Sequence, residues 1–283
     1  MTYVLSERDD RDERVVRITL NRPDRLNVLS PPVYDELFDA LQEACDDAAV
    51  RAIVLSGRGE HFCAGFDLAV SDDAAIDQPV WEQWRSMSAQ RSRMQGIAEA
   101  PKPIVAAVAG YCLGGGFELA NYCDFIVAAD TATFGEPEVR FSLAAHPRLL
   151  YFVPLRKAKE IQLLGGRFGA EYAERIGLIN AVVPASELSD WAFEFAQRLA
   201  ELPPETIQHT KSIMDRVLDL QGLRVLDGAF TSDFVVSKLT DTEQRRAFRE
   251  QRRTRGLRHA LSDAAGQRPG TASDGATGDE GAR

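Results

Sequence analysis

The sequence predicts an α/β fold with parallel strand pairing, followed by a C-terminal helical region, and three observations carry the prediction. Residues 15–55 read strand, helix, strand, an order that joins two parallel strands by a crossover. Residues 102–120 read apolar run, glycine turn, helix start. From Leu149 onward the apolar spacing is mainly helical, interrupted once at residues 178–183 by an apolar run that ends in Pro184.

Taken in order, residues 15–20 alternate, with Val16, Ile18 and Leu20 on one face, and stop at the turn signal Asn21, Arg22, Pro23. A loop with Arg25 and Asn27 follows. Ser30, Pro31 and Pro32 then start a helix whose Val33, Leu37, Ala40, Leu41 and Ala44 recur at core-facing spacing, and which ends near Asp47. Residues 52–55 form a short strand closed by Ser56, Gly57 and Gly59. The stretch HFCAGFDL, residues 61–68, places Ala64 and Gly65 before Phe66 and Asp67 as a loop of close approach. A polar, irregular segment leads to a helix over residues 81–100, which stops before Pro101. Ile104, Val105 and Val108 mark a buried strand, residues 125–127 another, and Thr133 with Phe134 lead into Gly135, Glu136, Pro137 and Glu138. Residues 178–183 are the last strand. Helices follow over residues 191–202, 205–220, 223–236 and 242–259, separated by Pro203 with Pro204 and by Gly222. Beyond Ser262 the chain lacks large apolar side chains, so residues 262–283 are expected to be a disordered tail.

A chain of 283 residues that is 45% hydrophobic can bury one large core, or a core and an accessory region. A formal net charge of -10 argues against a sequence-independent grip on nucleic acid, which requires clustered basic surface. Cys45, Cys63, Cys112 and Cys123 show no close paired spacing, and His61, His146, His209 and His259 are scattered. Neither a metal site nor a disulfide framework is indicated, and buried free thiols are expected. The first residues lack a basic region leading into an apolar core, and no long uninterrupted apolar run occurs, so a cytoplasmic protein without a membrane span is expected.

The stretch GYCLGGGFELA, residues 110–120, organises the rest. Gly114, Gly115 and Gly116 open a helix with Glu118 in its first turn. Glycines let backbone N–H groups approach a ligand, and a helix start favours an anion or an oxygen gaining negative charge. A tight turn followed by a helix-favouring acid explains the stretch equally well.

Read together, HFCAGFDL, GYCLGGGFELA and FGEPEVRF (residues 134–141) resemble the crotonase family, the enoyl-CoA hydratase/isomerase superfamily. The resemblance extends over about residues 15–252 and includes NRPDRLNVL at 21–29 and RFGAEYAERIGLINAVVP at 167–184. It implies a spiral of ββα repeats with an α/β core over residues 1–200 and a helical, oligomer-forming region over 201–261. It further implies a thioester carbonyl held by the backbone N–H groups of Phe66 and Gly115, since chemistry beside a thioester passes through an enolate oxygen that must be stabilised.

By the same resemblance, Glu118 is mainly the base and Glu138 mainly the acid that add water across the double bond of a 2-enoyl-CoA. Arg25, Leu26, Asn27, Ala64, Asp67, Leu68, Ala69 and Gly114 match the surface that binds substrate and coenzyme A, with Asp67 organising its loop. Lys238 and Arg252 are candidates for the coenzyme A phosphates. The resemblance implies no metal and no cofactor beyond the coenzyme A of the substrate, an acyl-CoA thioester as partner, no nucleic acid, no membrane, and a homotrimer or homohexamer. A double-bond isomerase, another acyl-CoA lyase or hydrolase, and a non-catalytic acyl-CoA-binding homologue are the alternatives. The chain departs from the family pattern after Glu138, where RFSLAAHPRLL (residues 140–150) replaces a small, glycine-rich wall. His146 there is expected to be a packing residue, with a contact to an unusual acyl group or a part in the chemistry as the alternatives.

Overall fold

The computed structural model describes residues 2–68, 78–140, 143, 146–238 and 242–256. In chain order the elements are β1 (Val4–Asp9), β2 (Asp12–Leu20), α1 (Pro31–Asp46), β3 (Ala52–Gly57), α2 (Val80–Ala98), β4 (Ile104–Val108), β5 (Tyr111–Leu113), α3 (Gly115–Tyr122), β6 (Phe125–Ala129) and β7 (Thr133–Gly135). They continue with α4 (Leu149–Phe152), α5 (Leu155–Leu164), β8 (Arg167–Gly169), α6 (Ala170–Arg175), β9 (Ala181–Val183), α7 (Leu188–Ala200), α8 (Pro204–Leu220), α9 (Leu223–Lys238) and α10 (Glu243–Arg255).

The large sheet has the order β1-β2-β3-β4-β6-β9, and every neighbouring pair except the β1–β2 hairpin is parallel. The predicted crossover is observed: β2 runs beside β3 with Val15 opposite Ala52, and α1 connects them. Alternation along the strands divides the core in two. Val15, Ala52, Val54, Val105, Ala107, Val127 and Ala129 meet Leu188, Ala192, Phe193 and Ala196 of α7. The opposite face, with Ile18, Ile53, Leu55, Ile104, Ala106 and Ile126, packs with Leu37, Leu41 and Ala44 of α1.

A second sheet, β5-β7-β8, pairs β5 with β7 in parallel and β7 with β8 antiparallel. The chain therefore places one strand in the large sheet and the next in the small one, twice over: β4 then β5, β6 then β7. After β3, Cys63 takes the corresponding place by bridging Cys112 of β5. The loops that leave the large sheet thus lie side by side.

Helix α1 starts at Pro31 as expected, but Ser30 makes no side-chain cap; the prolines at its first positions set the start. The hairpin strand β1 goes unrecognised in the sequence because Leu5, Ser6, Glu7 and Arg8 present no apolar alternation, and its anchor is remote: Tyr3 N and Val4 N donate to Glu36 Oε2 on α1 at 2.6 and 3.0 Å. Strands β5 and β8 are three residues each, too short for a periodic signal.

The described residues divide into two compact units, one within residues 1–240 and one within residues 241–283. Within the second, α10 is capped by Thr242, whose Oγ1 accepts from Arg245 N at 3.3 Å. The proposed tail over residues 262–283 lies outside the described residues. No described helix is long and apolar enough to cross a membrane.

Candidate active site

Two backbone turns make the site, and both are held by main-chain hydrogen bonds. The 61–68 loop runs along β5: Cys63 N donates to Tyr111 O at 2.9 Å and Leu113 N to Cys63 O at 3.0 Å. Gly65 then turns with φ 106°, and Leu29 N donates to its carbonyl at 2.8 Å. On the other strand, Gly114 adopts φ 50°, ψ -122°, a combination that L side chains rarely tolerate, and α3 begins at Gly115. The turns are in contact. A Cβ at Gly65 would stand 3.0 Å from Leu113 O and 3.4 Å from the Gly115 nitrogen, and one at Gly115 would stand 2.8 Å from the Phe66 ring. Neither Phe66 N–H nor Gly115 N–H donates a hydrogen bond to a described residue.

The Arg25–Asn27 loop closes against the first turn. Leu26 and Asn27 both take left-handed backbone, each with φ 54°, and Ala64 N donates to Leu26 O at 3.0 Å. Arg25 and Leu26 are exposed, whereas Asn27 is buried and both ends of its amide are hydrogen-bonded. Asn27 Oδ1 accepts from Arg22 N at 2.9 Å, and Nδ2 donates to Arg58 O and His61 O at 3.0 and 2.7 Å. Asp67, half-buried, pairs with Arg22 Nη1 at 2.8 Å, and Leu68 is half-buried beside it. Ala69 lies outside the described residues. Asn27 is a test of how much this loop depends on one side chain. Asn27→Ala should lose about 2–4 kcal/mol in chemical denaturation, because buried hydrogen bonds are left unmade and a left-handed backbone loses a residue that tolerates it. A loss below about 0.5 kcal/mol would show that the loop organises itself without the amide.

Glu118 and Glu138 converge at the glycine turn from different elements, α3 and the short 3-10 turn Pro137–Arg140. Glu138 reaches it from behind, so that a Cβ at Gly114 would overlap its Oε1 at 1.7 Å. Glu138 is half-buried as a residue, but its Oε2 is shut off from solvent and has no hydrogen-bond partner among the described residues. Burial pushes the Glu138 carboxyl up to about 8, its own backbone N–H works the other way, and the Glu118 charge raises it further.

Glu118 is 9% exposed and its Oε1 accepts from Arg91 Nη2 at 3.2 Å. His146 Nδ1 stands 3.8 Å from the same oxygen. His146 is buried, neither ring nitrogen has a hydrogen-bond partner among the described residues, and burial followed by the charges of Arg91 and Arg148 holds it well below the usual imidazole range. It is therefore neutral and packed among Phe117 and Tyr122. Glu136 completes the group. It is 3% exposed, its Oε1 has no partner among the described residues, and burial with the neighbouring Glu138 and Glu118 charges pushes it well above the carboxylate range.

Of the residues selected from sequence, Phe66, Gly114, Gly115, Glu118 and Glu138 meet around the two turns, with Ala64 and Asp67 on the first of them. Sequence reasoning missed Arg91 and Glu136. Glu136 stood in a quoted motif without a role. Arg91 had no signal at all: it sits on α2, a helix that carries none of the quoted motifs, 27 residues from Glu118.

This combination of an alternating two-sheet spiral and apposed glycine turns defines a protein of the crotonase type. The chain belongs to the enoyl-CoA hydratase/isomerase family, whose model matches residues 10–255. Among curated relatives it is 37% identical over 235 residues to a protein of Rhizobium meliloti named "Probable enoyl-CoA hydratase", covering 78% of this chain and 86% of the relative. It is 35% identical over 209 residues to a mevalonyl-coenzyme A hydratase of Aspergillus fumigatus, covering 69% and 73%. Among solved structures, an enoyl-CoA hydratase/isomerase from Xanthobacter autotrophicus Py2 superposes with a TM-score of 0.87 at 32% identity, over 95% of this chain and 99% of that one.

Proposed function

We propose that the protein hydrates a 2-enoyl-CoA thioester to the 3-hydroxyacyl-CoA. The observation that carries this reading is the pairing of a carboxyl held protonated near neutrality, Glu138, with an ion-paired carboxylate, Glu118, at a turn whose N–H groups are uncommitted. Two hydrogen atoms and an oxygen have to be distributed across one double bond. The thioester oxygen accepts from Phe66 N–H and Gly115 N–H. Glu118 takes a proton from water as the hydroxyl bonds to C3, and the negative charge moves onto the thioester oxygen as an enolate. Glu138 then gives its proton to C2, and proton exchange between the two acids through solvent restores the start. Removing one donor from such an oxyanion site typically costs about 3–4 kcal/mol, so the uncommitted N–H groups account for a large share of the rate.

Names among the relatives support the reaction class while differing in the acyl group, so the chain length and branching of the substrate stay open to assay. The Arg25–Asn27 loop with Ala64, Asp67, Leu68 and Ala69 forms the proposed coenzyme A surface, where Asn27 and Asp67 act by shaping the loop. The reaction requires no metal or redox group. Self-association as a trimer or hexamer is supported by the exposed stripe Ile213, Met214, Val217 and Leu220 on α8, which recurs on one helical face. We place the protein in the cytoplasm.

The pH dependence tests the assignment of the acid. Glu138 must carry a proton to deliver it, so kcat/KM for hydration should fall as pH rises through about 8, and Glu138→Gln should abolish that limb. A wild-type profile flat from pH 6 to 10 would remove Glu138 as the acid. Double-bond isomerisation is the second reading, favoured by the tie between Glu118 and Arg91, which would leave Glu138 as a single proton carrier. Incubation with 2-enoyl- and 3-enoyl-CoA thioesters separates the two by mass: hydration adds water, isomerisation leaves the mass unchanged.

A further inference from the structure

The two glutamates are chemically alike, yet hydration asks one to begin ionised and the other protonated. Something in the site has to break that symmetry. Burial alone does not, because Glu118, Glu136 and Glu138 all sit in the same water-poor cluster, each raising the cost of charge on the others. One positive group reaches the cluster from α2. Arg91 places Nη2 3.2 Å from Glu118 Oε1, with the two side chains 8% and 12% exposed.

We infer that Arg91 is the positioning residue that assigns the roles: its guanidinium holds Glu118 as the ionised base and so leaves the proton on Glu138. This rests on the hydratase reading and adds to it a residue outside the motifs that define the family.

The guanidinium stays charged at any working pH, so protonating Glu118 would forfeit a buried ion pair. Arg91 is fixed by more than the carboxylate. Its Nη1 donates to Tyr122 OH at 3.3 Å, and the Phe230 ring of α9 lies 4.0 Å from its Cζ. Helix α9 thereby backs the charge that faces α3. Other titratable groups near Glu118 are placed differently. His146, in the segment before α4, is neutral, and Arg148 acts on His146 and on the Tyr122 ring. Tyr34 of α1 is neutral, its hydroxyl raised by burial and by the Glu118 charge itself. Glu136 and Glu138, around the 3-10 turn, oppose ionisation.

The sign of the expected change follows directly. A cation beside a carboxylate lowers the pH at which it ionises, so removing the cation moves that ionisation to higher pH. The experiment compares full-length wild type with Arg91→Met, Arg91→Gln and Arg91→Lys, using a four-carbon 2-enoyl-CoA from pH 5 to 10. In Arg91→Met and Arg91→Gln the acid-side limb of kcat/KM should move up by about one pH unit or more, so that the rate on the acid side of the limb falls about tenfold and is regained at higher pH. KM should stay within about threefold of wild type, and Arg91→Lys should keep the limb near its original place.

A limb that does not move in a folded Arg91→Met or Arg91→Gln variant overturns the inference, as does Arg91→Lys behaving like them. Should one neutral variant fail to fold, the other carries the test. Failure of the hydratase reading is distinguishable, because wild type itself would then not add water. In that case 13C NMR titration of glutamate-labelled protein, with Glu118 assigned by Glu118→Gln, reads the same shift without substrate. An unchanged Glu118 titration on loss of the Arg91 charge is again the overturning result.

Discussion

Glu118→Gln and Glu138→Gln should each lower hydration of the best 2-enoyl-CoA by about 100-fold or more, the usual scale for a positioned acid or base. The amide at 118 cannot accept the water proton, and the amide at 138 has no acidic proton to give to C2. Both act in one addition step. The double variant should therefore lose far less than the product of the single losses, since the Phe66 and Gly115 N–H groups still stabilise the enolate oxygen. Single-turnover rates separate this from product release, and the two variants diverge in one respect. Glu118→Gln removes the partner of a buried guanidinium and should also lower Tm, whereas Glu138→Gln replaces a carboxyl that is already neutral and should leave Tm nearly unchanged. An isomerase predicts a different pattern, with one glutamate replaceable at modest loss. If Glu118→Gln retains most of its hydration activity, the proposed base is wrong.

Gly114→Ala should be comparably damaging, although the change is one methyl group. Two effects coincide at this residue. Its backbone lies at φ 50°, ψ -122°, where a Cβ costs about 1–3 kcal/mol of strain. The new methyl would also occupy the place of Glu138 Oε1, 1.7 Å away. A flexible carboxylate can swing aside at little cost to folding, and that escape is what should cost activity, because the acid leaves the turn it serves. Hydration should fall about 100-fold, with a drop in Tm that does not account for it. The cycle with Glu138→Gln makes the argument specific: once the acid is absent, adding Gly114→Ala should change the rate little further. Full additivity in that double variant would show that Gly114→Ala acts on the oxyanion turn and not through Glu138.

Much of this site was legible because its parts are local. The glycine triplet, the Gly65 turn before Phe66 and the acid at Glu118 are each set by a few neighbouring residues, whose backbone needs leave a mark in composition. The strand–helix–strand order over residues 15–55 was legible for the same reason, since period-2 and period-3.6 patterns are written in consecutive side chains. Asp67 pairs with Arg22 across 45 residues, a contact that local pattern does not show. Short pieces were lost: β1 shows no apolar alternation, and β5 and β8 offer three residues each.

By itself the sequence determined the α/β class, the order of its elements and the turns that could serve an acyl thioester, because those rest on local propensity and on motifs that survive without coordinates. Only the tertiary structure decided which polar groups share one low-dielectric space. Arg91 lies on a helix with no motif, and Glu136 and His146 are ordinary residues until packing strips them of water. Charge acts through distance and not through sequence separation, so whether Glu118 meets a guanidinium 27 residues away was settled by how α2 packs on α3. The division between an ionised and a protonated carboxyl is a property of that packing.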